Sequence, residues 1–200
     1  MIVIGVTGPT GAGKTTVLGV LKELGGAVAD CDAVYHDLLR TSRPMRDELR
    51  ARFGAEIFDE NRGLRRKELG AIVFRDQTAL ADLNAITHRH VVAELERQIA
   101  QAEAEGRPAA ALDAIALLES GAGRLCGVTV AVTAPEDVRV RRIMAREGIS
   151  EEYARARVAA QKPSVWFEER CTYTLCNDGT RDEFEAKARS LLQFILDIGG

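Results

Sequence analysis

Apolar residues along the chain fall into short continuous runs separated by longer stretches in which they recur every three or four positions. Ile2, Val3, Ile4 and Val6 form the first run, a short buried strand. Val17, Val20, Leu21 and Leu24 follow at helical spacing, and Gly25-Gly26 supplies a stop, so a first helix is expected over about 13–24. Ala27-Val28-Ala29 reads as a second strand ending in Asp30-Cys31-Asp32, with Val34, Leu38 and Leu39 on the helix after it. Met45, Leu49 and Phe53 mark another helix that breaks at Gly54, residues 59–63 form a polar turn, and a helix restarts from Leu64 to Phe74. Two helices are expected between Asp76 and Glu105, meeting at Thr87-His88, the second carrying Val91, Leu95, Ile99 and Ala102 on one face.

Ala109 to Leu112, followed by Asp113, is a third strand; the β-branched run Val128 to Val132 is a fourth; Tyr173 to Cys176, closed by Asn177-Asp178-Gly179, is a fifth. Between them, Thr133-Ala134-Pro135-Glu136-Asp137 opens a helix that runs to Gly148, and Ser150 opens another that runs to about residue 160. A last helix puts Phe184, Ala188, Leu191, Leu192 and Ile195 on one face. Strands joined through helices of crossover length imply a five-stranded parallel sheet with helices on both faces, a three-layer α/β fold. Ligands of such sheets bind beyond the carboxyl ends of the strands, where the turn after the first strand, Asp30 to Asp32, and Asp113 would gather. The chain shows no internal repeat and no linker, so one continuous domain is expected.

Composition changes this picture little. An apolar fraction of 46% and a charged fraction of 28% over 200 residues are those of an ordinary globular protein with room for one α/β domain and a small subdomain. The net charge of −3 argues against a protein that coats nucleic acid. Cys31, Cys126, Cys171 and Cys176 lack zinc spacing and are expected to be reduced thiols, mostly buried. With no leader-like segment and no apolar run of membrane-spanning length, a cytoplasmic protein is expected.

The candidate chemistry lies in Gly8-Pro9-Thr10-Gly11-Ala12-Gly13-Lys14-Thr15, an unbroken G-x-x-x-x-G-K-[ST] pattern between the first strand and the first helix. Glycines there let successive backbone N–H groups converge on an anion, so Gly11, Ala12, Gly13, Lys14, Thr15 and Thr16 are the expected phosphate-binding residues. Lys14 would reach the outer phosphates and the Thr15 hydroxyl would bind Mg2+. Elsewhere, Arg65, Arg66 and Lys67 open a helix with three cations, which the helix dipole disfavours unless an anion sits nearby; a solvated basic turn is the plain alternative. Of the arginines at 139, 141, 142 and 146, Arg142 and Arg146 share a helix face, while Arg139 and Arg141 are expected to be solvated.

These residues together resemble the dephospho-coenzyme A kinases, P-loop small-molecule kinases. The glycine-rich loop, Asp30-x-Asp32, His36, Phe53-Gly54, Gly63-Leu64 with Arg66, Val73-Phe74, His88, Asp113 to Glu119, Ala134-Pro135 and Asn177 occur in the family's order and spacing over nearly the whole chain. The resemblance implies a P-loop NTPase-type core (about 1–40, 107–135 and 172–200), an acceptor-binding helical region (about 41–106) and a helical lid (about 139–165). It implies phosphoryl transfer from ATP, with Mg2+, to the ribose 3′-hydroxyl of dephospho-coenzyme A. Asp32 would then be the general base or hydroxyl-orienting group, its ordinary alternative being an N-cap. Lys14, Arg142 and Arg146 would stabilise the transferring group. His36, Arg66, His88 and Asp113 would face the acceptor alongside Asp32; Asn177 would lie near adenine, or serve only a turn; Asp30 would support Mg2+ through water, or close its strand with local hydrogen bonds. After Asp113 the run Ala114 to Glu119 lacks the family's usual proline, and Trp166 and Phe167 replace its usual basic residues, to cover a nucleotide or to pack. The implied partners are ATP and dephospho-coenzyme A alone, without nucleic acid or membrane, in a monomer or small homo-oligomer.

Two rival readings make different demands. Another P-loop kinase acting on a nucleoside, nucleotide or small metabolite would not need Asp30-x-Asp32, Arg66 and His88 at these spacings. A GTP-binding switch would carry an Asn-Lys-x-Asp guanine motif, and the sequence has none.

Overall fold

The computed structural model describes residues 1–59 and 63–199, so most of the polar turn expected at 59–63 falls outside the described residues. The described chain divides into two compact units: Met1–Ala29 with the chain from Ile99 onward, and Asp30–Gln98.

The first unit is built on the sheet. In chain order it contains β1 (Ile2–Thr7), α1 (Lys14–Glu23) and β2, which spans Ala27–Asp30 and so ends on the second unit's first residue. The second unit then carries α2 (Cys31–Thr41), α3 (Arg43–Phe53), α4 (Arg66–Val73) and most of α5 (Gln77–Ala104). The chain returns with β3 (Ala109–Asp113), β4 (Val128–Thr133), α6 (Glu136–Glu147), α7 (Glu151–Ala159), α8 (Ser164–Glu168), β5 (Tyr173–Cys176) and α9 (Arg181–Gly199). The strands form the expected five-stranded parallel sheet, in the order β2-β3-β1-β4-β5. Val6 lies opposite both Asp113 of β3 and Val130 of β4, so β1 is central and the turn that follows it opens at the sheet's middle. Ile4 and Val6 are fully buried, as are Leu21 of α1 and Leu192 and Ile195 of α9, which pack in the same core.

In the second unit, Met45, Leu49 and Phe53 of α3 bury one face against Ile57, Phe58, Leu69 and Val73. Instead of two helices meeting at Thr87-His88, α5 runs unbroken from Gln77 to Ala104. Neither glycine nor proline interrupts it, and the Thr87 hydroxyl, buried, donates back to the carbonyls of Leu83 (2.8 Å) and Asn84 (3.2 Å). A threonine that bonds inside its own helix does not end it. Arg52–Asp82 (2.6 Å) and the Glu48 carboxylate, which takes both Arg89 and His90, tie α5 to α3. α4 starts at Arg66 rather than Leu64, because Leu64 pairs in an antiparallel bridge with Phe58. Among the described residues no helix is long and apolar enough to cross a membrane.

None of the four cysteines is in a disulfide, but only Cys31 is buried; Cys126 and Cys171 are half-buried and Cys176 is exposed. The expectation of mostly buried thiols therefore fails. On the short β5 alternate positions face outward, and Cys176 takes one of them.

Candidate active site

β1 delivers the chain into the glycine-rich turn at a point where its glycines are required. Gly8 has φ +137° and a Cβ there would lie 2.0 Å from the Val132 carbonyl oxygen; Gly13 has φ +109° and a Cβ would lie 2.3 Å from Asn177 Nδ2. Neither position tolerates a side chain. Lys14 Nζ donates to the Gly8 carbonyl at 3.1 Å, laying the lysine across the loop.

The loop opens into a cavity of about 440 Å³ in the first unit, lined by Thr10, Gly11, Gly13, Lys14, Thr15, Asp113, Ile115, Arg142, Arg146 and Arg157. Four of its lining side chains are cations and one is a carboxylate, a balance suited to a polyphosphate. The expected Lys14, Thr15, Arg142, Arg146 and Asp113 are thus brought together, and Arg157, which sequence reasoning missed, joins them.

Arg142 donates to the Asn177 Oδ1 at 3.0 Å and lies 3.4 Å from the Gly11 and Ala12 carbonyl oxygens. Asn177 is buried, not a solvent-facing turn residue, and its Nδ2 donates to the Ala12 carbonyl at 2.8 Å. The structure corrects the expectation for Arg139. It is 4% exposed, with Nε on the Thr10 carbonyl (3.0 Å) and Nη2 on Gln161 Oε1 (3.0 Å). Burial pushes its pKa down, partly offset by Glu136. Arg141 is solvated as expected, paired with Asp137 at 2.8 Å. Arg146 is exposed and donates to Glu147 at 2.6 Å; Arg157 donates to the other oxygen of the same carboxylate. These two arginines hold the Glu147 pKa below the usual carboxylate range. Phe167 is fully buried, while Trp166 stands edge-on to it with Lys162 and Arg170 over its ring.

In the second unit a separate cavity of about 800 Å³ is lined by His36, Leu39, Arg40, Thr41, Arg46, Gly63, Leu64 and Arg66. Arg66 Nη2 approaches His36 Nδ1 at 3.4 Å. Among the described residues three guanidiniums and no carboxylate line it, so Arg66 at the basic start of α4 faces an anion-sized space rather than bulk water alone. Arg46 is 7% exposed, its Nη1 on the Arg40 carbonyl (2.8 Å) and its buried Nε without a hydrogen-bond partner among the described residues. Sequence reasoning singled out His36 and Arg66 but not Arg40 or Arg46.

The two aspartates at and just beyond the end of β2 divide their work. Asp30, not Asp32, is the N-cap of α2: its Oδ1 accepts from the Ala33 N–H at 3.0 Å. Asp32 lies exposed in the first turn and has no capping duty. Asp32 and the half-buried His88 line neither of the two cavities.

The sequence model of the dephospho-CoA kinase family matches residues 2–183. The chain belongs to the dephospho-CoA kinase family. A dephospho-CoA kinase of Corynebacterium diphtheriae is 37% identical over 193 residues, spanning 96% of each chain. A crystal structure from Thermus thermophilus superposes with a TM-score of 0.76 at 34% identity, covering 96% of each chain. A dephospho-CoA kinase from Campylobacter jejuni has the same fold, with a TM-score of 0.71 at 23% identity over 99% of this chain and 98% of its own. The glycine-rich loop of this chain lies at the carboxyl end of the central strand β1.

Proposed function

We propose that this chain transfers the terminal phosphoryl group of ATP to the ribose 3′-hydroxyl of dephospho-coenzyme A, giving coenzyme A in the last step of its biosynthesis. The observation that carries the reading is the cationic cavity over the glycine loop, in a chain of this family. Phosphoryl transfer asks for positioning and charge neutralisation rather than a covalent intermediate, and the cavity supplies Lys14, Arg142 and Arg146 for that. The backbone of Gly11 to Thr16 holds the phosphates, with Asn177 behind it.

Mg2+ fits the donors present: the Thr15 hydroxyl and the Asp113 carboxylate line the same cavity, and hard oxygen donors suit that ion. When bound, it would neutralise charge on the outer phosphates. Asp30 is committed to its cap, so a water-mediated role towards the ion would have to share that carboxylate. In the second unit, His36 and Arg66 hold the anionic part of the acceptor, with His88 as a further contact, and Asp32, relieved of capping, orients or deprotonates the acceptor hydroxyl. In this reading the helical region of about 41–106 serves the acceptor and that of about 139–165 closes as a lid. The enzyme works in the cytoplasm on small molecules alone, as a monomer or small homo-oligomer.

Incubation with ATP, Mg2+ and dephospho-coenzyme A should give the mass gain of one phosphate on the acceptor. No gain, with another small-molecule acceptor phosphorylated instead, would overturn the assignment.

A further inference from the structure

Arg157 sits on α7 in a run of mixed charge, a place where an arginine is ordinarily a solvated side chain. It lines the phosphate cavity nevertheless, with Lys14, Arg142 and Arg146. Two independent sets of contacts hold it there.

The first ties the end of α7 to the glycine loop. Gln161, four residues beyond Arg157, accepts from the Thr10 N–H at 3.0 Å and donates to the Thr10 hydroxyl at 2.6 Å. Buried Arg139 completes the ring, bonding the Thr10 carbonyl and Gln161 Oε1. Every polar atom of Thr10 is engaged, so the loop is fastened to the segment that directly follows α7. Arg157, two residues before the end of α7, is thereby held close to the loop and lines the cavity. The second set is electrostatic. The Glu147 carboxylate bridges Arg146 and Arg157, one negative charge for two guanidiniums. The pair therefore keeps a surplus positive charge at the cavity wall.

We propose that Arg157 is a further phosphate-contacting residue, directed at the terminal phosphoryl group of the nucleotide, with Gln161 and Thr10 as its positioning residues. Glu147 holds the guanidinium in place until a phosphate oxygen takes over its free N–H groups. This deepens the proposed function and rests on its placement of ATP in the cavity.

The test is calorimetric binding of ATP and of ADP without acceptor, to the wild-type chain and to Arg157→Ala, Arg157→Lys, Gln161→Ala and, as a control on the same surface, Arg141→Ala. Loss of a charge-assisted contact to the terminal phosphate should weaken ATP about tenfold or more while changing ADP about twofold or less. Arg157→Lys should recover part of the ATP preference, and Gln161→Ala should show a smaller loss of the same ATP-selective kind. Arg141→Ala should bind both nucleotides normally. Equal weakening of ATP and ADP by Arg157→Ala, or no weakening of either, overturns the proposal; so does an Arg157→Lys chain, folded by circular dichroism, that recovers none of the ATP preference lost in Arg157→Ala. Because no acceptor is present, failure to phosphorylate dephospho-coenzyme A would count against the function and leave this readout intact.

Discussion

Asn177→Ala is the substitution for which the structure gives the clearest magnitude. The side chain is 5% exposed and makes two hydrogen bonds, one to the Ala12 carbonyl at 2.8 Å and one from the Arg142 guanidinium at 3.0 Å. A neutral bond contributes about 0.5–1.5 kcal/mol and one to a charged group about 1.5–3 kcal/mol, so truncation should destabilise the protein by about 2–4 kcal/mol. Only the longer contact from Arg142, at 3.4 Å, then remains on the Ala12 carbonyl. In a protein of this size that loss should lower Tm by about 5–15 °C. Trp166, the single tryptophan, is half-buried against Phe167 and reports unfolding by fluorescence. Asn177→Asp separates the two contacts: it keeps a partner for Arg142 but sets an oxygen against the Ala12 carbonyl oxygen. If the loop is held through Ala12, the aspartate variant should lose turnover as the alanine variant does while regaining part of the stability. A Tm within about 1 °C of wild type for Asn177→Ala, less than one weak hydrogen bond would give, would refute the anchoring role.

Three further outcomes are expected. Asp32→Asn should abolish turnover with ATP affinity and stability near wild type, whereas Asp30→Ala should cost about 1 kcal/mol of stability through loss of the α2 cap; near-normal turnover of Asp32→Asn would remove it from the chemistry. Arg142→Ala should lower kcat far more than it weakens ATP binding, and steady-state kinetics showing the reverse would sink its role on the transferring group. Burial pushes the Cys126 thiol from 9.0 up to about 12. Its unfolded form loses a proton first, so the stability it contributes is present below pH 9 and lost as pH rises towards 12, and at pH 8 a thiol reagent should label exposed Cys176 while sparing Cys126 in the folded protein.

The parts legible in the sequence are those fixed by local chemistry. The loop was readable because its pattern is contiguous and falls directly between an apolar strand and a helix, and β1, α1 and β4 because apolar spacing alone defines them. Asp30 and Asp32 exchanged roles because capping depends on the residue at which a helix begins, and a one-position shift transfers the duty. Thr87-His88 resembled a break because a β-branched residue beside histidine weakens helical propensity, yet in place the threonine bonds its own helix. Arg139 could not be placed, since its partners are a carbonyl at residue 10 and a side chain at residue 161. Arg46 and Arg157 were missed for the same reason: an arginine's surroundings are set by tertiary packing, and nothing in its own neighbourhood distinguishes a cavity wall from a solvated face.

The spacing of Arg139, Arg142 and Arg146 then explains how one helix serves the loop. All three fall on one side of α6, and from the buried residue outwards their duties change. Arg139 takes the Thr10 carbonyl, Arg142 approaches those of Gly11 and Ala12, and Arg146 is left at the cavity. In a trans peptide the carbonyl and the following N–H point in opposite directions. Drawing the carbonyls of Thr10 and Ala12 towards Arg139 and Asn177 therefore turns the N–H groups of Gly11 and Gly13 the other way, as a phosphate cradle requires. The inner arginine of α6 shapes the loop, and the outer one lines the cavity that the loop opens into.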